Sequence, residues 1–202
     1  MGHPGPVRVR RFERRGKKVV ATLEPEEVQL LASLVQQLID LLADSEPEPA
    51  APPPAAADPD DPFALWERDL QAEPDQPEEP DDPVLQRLFP NAYPHDARAS
   101  SDFRRFTERE ARAAKIAAAR LVLEHLAATR DGRHPVKVPL TEVDAWLKTL
   151  NNLRLSIAAR LRITDAETAE ELGQLPDDDP RAFMYGVYEW LAFAQETLVN
   201  SL

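Results

Sequence analysis

The sequence contains no cysteine. A chain without thiols cannot form disulfides, hold a cysteine-ligated zinc or an iron–sulfur cluster, use a thiolate as a nucleophile, or sense oxidants through thiol oxidation. No apolar run approaches the ~18 residues of a membrane span. The basic N-terminus MGHPGPVRVRRF also lacks the apolar stretch of a secretory signal. These absences predict a soluble, cytoplasmic protein without membrane contact.

Catalytic and cofactor-binding signatures are also missing. The histidines, at positions 3, 95, 125 and 134, show no metal-ligand spacing with one another or with a carboxylate pair. The chain has no nucleophile elbow, phosphate-binding loop or dinucleotide fingerprint. A catalytic site would need a constellation assembled entirely by the fold. We therefore predict a protein that is not an enzyme and that holds no metal and no cofactor.

Acidic residues are abundant, and they are concentrated in one segment. The chain carries 36 acidic residues against 24 Lys and Arg, and residues 44–82 hold fourteen of the acids with a single arginine. Such a segment, rich in Pro and Ala, buries too little apolar surface to offset chain entropy, which predicts a disordered linker over residues 46–82. Its one apolar island, Phe63-Ala64-Leu65-Trp66, leaves open a short docking element for the parent domain or for a partner.

The N-terminal residues read as a β-hairpin. Two runs with strand-like composition, residues 7–12 and 17–23, flank a connection at 13–16 that ends in a glycine. Glycine supplies the positive φ that a short connection needs. A further short run, residues 134–139, is expected as an edge strand added to this hairpin.

The rest of the chain shows helical periodicity. Apolar stripes and start signals predict helices beginning near residues 25, 96, 141, 164 and 180. The fold class expected is mainly α, a bundle of about five helices with a small N-terminal β-hairpin. The second half of the helix near 96–129 is apolar nearly all round, which marks it as the central helix. Residues 1–45, with the hairpin and first helix, should pack with the bundle of residues 83–202 as one domain.

Two groups of basic residues are candidates for nucleic-acid contact, because phosphate binding needs a basic face. Exposed edge strands also carry basic charge simply to prevent aggregation. The long helix interleaves its arginines with acids, so a salt-bridged, partly buried surface is the alternative there. No helix–turn–helix pattern identifies a recognition helix. The candidates are Arg8, Arg10, Arg14, Arg15, Lys17 and Lys18 on the hairpin, and Arg105, Arg109 and Arg112 on the long helix.

The stretch WLKTLNNLRLSIAARL, residues 146–161, places an arginine on an otherwise apolar helical stripe. A buried guanidinium is costly unless it is paired and hydrogen-bonded. We therefore expect a buried polar bridge to an acid on another helix; a functional pocket or an exposed arginine are the alternatives. The residues of this bridge or pocket are Asn151, Asn152, Arg154, and the candidate acidic partners Glu189 and Asp102.

Five blocks of the sequence together resemble one known family. They are LEPEEVQLLASLVQQLIDLL, DPVLQRLFPNAYPHD, FRRFTERE, AWLKTLNNLRLSIAARLRIT and VYEWLAFAQETLVNSL. The combination resembles the actinobacterial AosR-like family, formerly catalogued as a domain of unknown function, and it covers the chain outside the acidic segment. The resemblance implies a non-enzymatic transcriptional regulator of the oxidative-stress response. Redox sensing in that family is attributed to cysteine pairs, which this chain lacks.

The resemblance also implies partners. Genes of the family tend to lie near those for a proteolytic adaptor and for a sulfur-transfer pathway of cysteine synthesis. The expected partner is therefore a protein of the transcription machinery or of a proteolytic adaptor system, with weak DNA contact and homo-oligomers as further candidates. The alternative function is an adaptor or scaffold for a proteolytic or sulfur-metabolism complex. A DNA-contacting regulator would lose affinity steeply with salt, whereas an adaptor would capture a protein.

Overall fold

The structure is a computed structural model that describes residues 11–45, 80–93 and 95–202, apart from the side chains of Ala97, Asp102 and Arg105. Within these residues the chain is mainly α-helical with one small sheet, so the predicted fold class is confirmed. The α-helices of this described part are α1 (Pro25–Asp44), α2 (Pro83–Leu88), α3 (Ala97–Ala127), α4 (Val143–Leu161), α5 (Ala166–Gly173) and α6 (Pro180–Asn200). The predicted linker, apart from residues 80–82, and its Phe63–Trp66 island lie outside the described residues.

Three short antiparallel strands form the sheet: β1 (Glu13–Arg15), β2 (Lys18–Ala21) and β3 (Val136–Pro139), in the order β1-β2-β3. The edge strand expected from residues 134–139 is therefore present, and it pairs with β2. Val19 and Val138 face the core and are fully buried, while Lys18 and Lys137 face solvent. The sheet thus closes one end of the helical core.

The prediction that four residues connect the two strands of the hairpin is wrong. Strand β1 continues through Glu13–Arg15, and the turn is the two-residue Gly16-Lys17, with Arg15 opposite Lys18. Gly16 has a φ of +64°, which suits the first position of a two-residue hairpin turn, so the strands pair right up to the glycine. Residues 11–12 precede the strand, and residues 7–10 lie outside the described residues.

Helix α4 is the helix around which the others pack. It contacts α1, α2, α3 and α6, and its Trp146 and Leu150 are fully buried. The prediction that the long helix α3 is central was wrong, because Ile116 and Leu123 of α3 are only half-buried. A helix with apolar residues on every side can be either partly buried or central, so the sequence pattern of α3 did not determine its position.

Two groups of polar contacts hold helix ends in place. The indole N–H of Trp146 donates to Nδ1 of His125 (2.9 Å), and Nε2 of His125 lies 3.0 Å from Oε2 of Glu142. These contacts join the end of α3 to the start of α4. At the start of α1, Glu27 is buried and accepts hydrogen bonds from the Glu24 backbone N–H (2.7 Å) and from the Trp190 indole (3.3 Å).

The start of α5 is shifted by one residue from its predicted capping box. Asp165 is the N-cap, and its carboxylate accepts from the Thr168 backbone N–H at 2.8 Å. These hydrogen bonds hold the pKa of Asp165 below its ordinary value. The spacing from Thr164 to Glu167 imitates a capping box, but the carboxylate of Asp165, one residue on, forms the capping box with Thr168.

Replacing Glu27 by Ala should lower the free energy of unfolding by about 2 kcal/mol, because the buried Trp190 indole and the partly buried Glu24 backbone N–H lose their acceptor. Glu26→Ala, in the same turn but exposed, is the matched control and should change it by less than about 0.5 kcal/mol. Urea unfolding followed by circular dichroism measures both. Equal losses in the two variants would contradict the role assigned to Glu27.

Candidate functional site

Three of the sequence blocks that carry the family resemblance meet at one corner of the fold. LFPNAY, residues 88–93, ends α2 and begins the loop to α3; FRRFTERE lies in the first half of α3; LNNLRL lies in α4. Nζ of Lys115 on α3 donates to Oδ1 of Asn152 on α4 at 3.1 Å. The same ammonium lies 5.6 Å above the ring centre of Phe89. Residues far apart in the sequence therefore form one continuous surface.

A buried arginine holds this corner together. Arg112 is 2 % exposed, and its Nη1 donates to the carbonyl oxygen of Leu42 (2.9 Å) and to Oγ of Ser45 (2.5 Å) at the end of α1. Its Nη2 donates to Oε1 of Glu108 at 2.5 Å, and its guanidinium carbon lies 4.7 Å above the Phe89 ring. Because the last carbonyls of a helix lack partners within the helix, the cation stabilises the α1 terminus. We call this set of contacts the Arg112 clamp.

The charges of the corner do not cancel. Glu108 is shared between Arg112 and Arg104, whose Nε lies 3.4 Å from Oε2 of Glu108. One carboxylate thus balances one of the two arginines, and the Lys115 ammonium beside them has only an amide oxygen as its described hydrogen-bond acceptor. Burial lowers the pKa of Lys115, and the nearby Lys148 charge lowers it further. Among these four described side chains, the three cations Arg104, Arg112 and Lys115 thus face one carboxylate, that of Glu108.

Large aromatic side chains lie exposed beside these cations. Tyr93 and Phe103 are 48 % and 45 % exposed, and their rings meet edge to face at 5.9 Å. Phe106, one turn along α3, is 73 % exposed. Phe103 and Arg104 line one side of a cleft of about 400 Å³ that runs to Lys115. We call Tyr93, Phe103, Arg104, Phe106 and Lys115 the aromatic–basic surface.

Local hydrogen bonds fix the loop that carries Tyr93. Oγ of Ser100 donates to the Tyr93 carbonyl oxygen at 2.7 Å and also contacts Oδ1 of Asn91. Asp96 caps α3 by accepting from the Ala99 backbone N–H at 2.9 Å. The aromatic rings are therefore presented from an ordered loop and a helix. Exposed aromatic patches with a polar rim mark sites of protein contact.

The basic residues of the hairpin lie on the surface. Arg14, Arg15, Lys17 and Lys18 are exposed, while Arg8 and Arg10 lie outside the described residues. Nη1 of Arg14 donates to the carbonyl oxygen of Leu202 at 2.6 Å. Arg15 pairs with Glu13 at 3.4 Å, which offsets its charge. Lys17 and Lys18 are the cations of the described hairpin that remain best placed for a phosphate.

The predicted basic face of α3 is divided by the fold. Arg112 is removed from solvent by the clamp, so it cannot contact phosphate in this conformation. Arg109 is exposed, and the side chain of Arg105 lies outside the description. The face separates because α3 packs against α1 at Arg112, while the residues before it remain at the surface. The spacing of Glu108 and Arg112, four residues apart on a helix, is the signal that indicates this pairing.

Arg154 bridges α4 to α6, but through neutral groups. Its Nη1 donates to Oε1 of Gln195 (2.9 Å), and its Nη2 lies 3.4 Å from the Tyr188 hydroxyl. The guanidinium carbon lies 5.1 Å above the Tyr188 ring centre. These contacts replace the expected acid: Glu189 is exposed, because it lies ~100° around α6 from Tyr188.

The other members of the predicted bridge or pocket are distributed differently. Asn152 is buried and accepts from Lys115, whereas Asn151 is exposed. The side chain of Asp102 lies outside the description. Sequence reasoning missed Gln195 and Tyr188, although their separation of seven residues places them on one face of a helix. It also missed Phe89, for which no local signal exists.

The described residues contain no group of three or more His, Asp or Glu side chains placed to hold a metal ion. Among their helices, none is both long enough and apolar enough to cross a membrane.

Arg112→Met should lower the free energy of unfolding by about 3 kcal/mol, near the lower end for breaking a buried ion pair, because Arg104 still contacts Glu108. Arg120→Met, at an exposed position two turns along α3, is the matched control and should cost less than about 0.5 kcal/mol. Chemical denaturation measures both. Ordinary substitutions cost ~1 kcal/mol. A loss smaller than this for Arg112→Met would contradict the role assigned to the Arg112 clamp.

Arg154→Met should cost much less, about 1 kcal/mol, because it leaves two neutral, half-buried groups and no stranded charge. The same denaturation experiment compares it with Arg112→Met. A loss of 3 kcal/mol or more, the size expected for a broken buried ion pair at ~3–5 kcal/mol, would instead show an acidic partner for Arg154.

Comparison with known proteins identifies the family. The family model described as a domain of unknown function (DUF2017) matches residues 9–202. The putative oxidative stress regulator AosR of Mycobacterium leprae is 30 % identical over 219 residues, which cover 99 % of this chain and 91 % of that protein. The oxidative stress regulator AosR of Mycobacterium tuberculosis H37Rv is 28 % identical over 98 % of this chain and 89 % of its own length. No solved structure matches the chain. The resemblance seen in the sequence is thereby confirmed, and the chain belongs to the DUF2017 family together with relatives named as AosR oxidative stress regulators.

Proposed function

We propose that this chain is a non-enzymatic regulator of the oxidative-stress response that acts in the cytoplasm by binding another protein through the aromatic–basic surface. The observation that carries the proposal is the position of Tyr93 and Phe103, exposed aromatic residues inside two of the sequence blocks shared with the family. The similarity to proteins named oxidative stress regulators, over nearly the whole chain, supports the process.

The chemistry of the surface favours a protein partner over DNA. Aromatic residues and arginine are enriched at the centres of protein interfaces, where they contribute most of the binding free energy. Tyr93 and Phe103 offer exposed apolar area, while the Arg104 side chain beside them is mostly buried and paired with Glu108. Phosphate binding would need a run of accessible cations, and burial of Arg112 interrupts that run on α3. Lys17 and Lys18 on the hairpin remain candidates for weak DNA contact.

The absence of cysteine excludes sensing of oxidants by a thiol of this chain. Because the sequence has no thiol, a thiol-based response to oxidants must reach this chain through its partner or through an effector. The same absence favours a second candidate function, an adaptor or scaffold for a proteolytic or sulfur-metabolism complex, since an adaptor needs no sensor of its own. The partner is a protein of the transcription machinery in the first case and a proteolytic or metabolic component in the second.

Replacing Phe103 by Ser should abolish capture of the native partner while leaving the fold intact, because the side chain is 45 % exposed. Phe183→Ser is the matched control: Phe183 is also exposed, at 66 %, but lies on α6. Full-length chains of both variants and the wild type are immobilised and exposed to native lysate, and bound proteins are identified by mass spectrometry. We expect one specific protein to be captured by the wild type and by Phe183→Ser, but not by Phe103→Ser.

The same samples are tested against duplex DNA at several salt concentrations. A DNA-contacting regulator loses affinity linearly in log K against log salt, with a slope set by the number of phosphates neutralised. We expect no such binding by the wild-type chain at moderate salt. Identical capture by Phe103→Ser and wild type, or DNA binding that depends steeply on salt, would contradict the proposal of a protein-binding surface.

A further inference from the structure

A cavity of about 380 Å³ lies between α2, α4, α5 and α6, and it shares no lining residue with the aromatic–basic surface. One part of its wall is polar and the other part is apolar. The apolar part includes three alanines and the half-buried Leu155 and Ile163. The polar part contains Arg87 of α2, Asn151 and Arg154 of α4, and Tyr188 of α6. We call this space the Arg154 cavity.

The guanidinium of Arg154 is incompletely satisfied by the described residues. Its Nη1 donates to Oε1 of Gln195 at 2.9 Å, whereas its Nη2 makes only a contact of 3.4 Å with the Tyr188 hydroxyl. Its buried Nε has no acceptor among the described residues. Nε and Nη2 form one edge of the guanidinium, and such an edge binds a carboxylate through two parallel hydrogen bonds. The edge that suits a carboxylate is therefore the one that the described residues leave poorly used.

The charges around the cavity favour an anion. Among its described lining residues, Arg87 and Arg154 are cations and Asp165 is the acid. Arg87 is exposed and has no ion-pair partner among the described residues. The carboxylate of Asp165 already accepts from the Thr168 backbone N–H at 2.8 Å and from the Thr164 hydroxyl at 3.0 Å. The cations thus remain without a carboxylate of their own, and they attract an anion from solvent.

The apolar part of the wall restricts the kind of anion. Inorganic phosphate would match the two arginines but would leave Leu155, Ile163 and the alanines uncovered. An aliphatic group attached to a carboxylate covers them and gains from the removal of apolar surface from water. Apolar walls with a few directed polar groups are typical of sites for small organic ligands. The cavity therefore matches a small organic acid better than an inorganic anion.

We propose that the Arg154 cavity binds a small organic acid with a short aliphatic body. Its carboxylate occupies the Nε–Nη2 edge of Arg154 and replaces the weak contact of the Tyr188 hydroxyl. Arg87 supplies the second positive charge, and the aliphatic body lies against Leu155 and Ile163. This site goes beyond the proposed function, because it gives the chain a place for a small effector apart from the surface assigned to the protein partner.

Titration of isovalerate into the full chain at constant ionic strength tests the site. The chain is isotopically enriched, so that its amide signals and the Nε–H signal of Arg154 are followed by nuclear magnetic resonance. We expect saturable shifts at residues 151–158 and 163–169 and at the Arg154 Nε–H, with a Kd in roughly the millimolar range for so small a ligand. Isovaleramide, which keeps the aliphatic body without the charge, and inorganic phosphate are titrated in parallel and should not saturate these signals.

Three variants identify the residues responsible. Arg154→Met should weaken isovalerate binding about tenfold or more, since hydrogen bonds to a charged group are lost. Arg87→Gln should weaken it severalfold, and because Arg87 is exposed this variant tests the site without disturbing the packing around Arg154. Arg120→Gln, at an exposed position of α3 outside the cavity, is the matched control and should bind as the wild type does.

Several results would overturn the inference. Absence of saturable shifts, or shifts located outside the cavity, would show that isovalerate does not bind there. Equal binding of isovaleramide would show that the arginines do not recognise the charge, and equal binding of phosphate would show that the apolar wall does not contribute. Unchanged affinity in both Arg154→Met and Arg87→Gln would place the ligand elsewhere.

Discussion

The buried guanidinium of Arg112 is the interaction on which the corner of the molecule depends. Burying a cation is costly unless its donors are satisfied. Here a carboxylate, a helix-terminal carbonyl and a hydroxyl accept from the two Nη atoms of Arg112, while its buried Nε has no acceptor among the described residues. Those acceptors come from the end of α1 and from α3, and Phe89 after α2 covers the guanidinium face. One side chain of α3 thereby contacts both the end of α1 and Phe89 at the end of α2.

The functional surface follows from this constraint. Because Phe89 is held beneath Arg112 and Lys115, the loop that follows it places Tyr93 against Phe103. The aromatic rings stay exposed because the apolar side of α3 at this point is already occupied by the clamp. An exposed aromatic patch with a polar rim is suited to binding a protein.

Local patterns predicted the elements of the fold, and long-range contacts determined the site. The helices and the third strand were predictable because periodicity and capping residues act within a few positions. The hairpin turn was misplaced because a glycine at position 16 fits both a four-residue and a two-residue connection, and only strand pairing decides between them. Arg112 was assigned to phosphate because its acceptor at Leu42 is 70 residues away in the sequence. Arg154 was expected to need an acid, but its two Nη atoms contact the neutral Gln195 and Tyr188, and its buried Nε has no acceptor among the described residues.

We propose that the Arg112 clamp orders the aromatic–basic surface. Native-state hydrogen exchange of the Arg112→Met chain, resolved by peptide and compared with wild type, tests it most directly. The predicted result is faster exchange confined to the end of α1, residues 38–45, and to the loop at 88–93, with protection of α6 unchanged. Exchange that is unchanged at both places, or that rises uniformly throughout the chain, would contradict the claim.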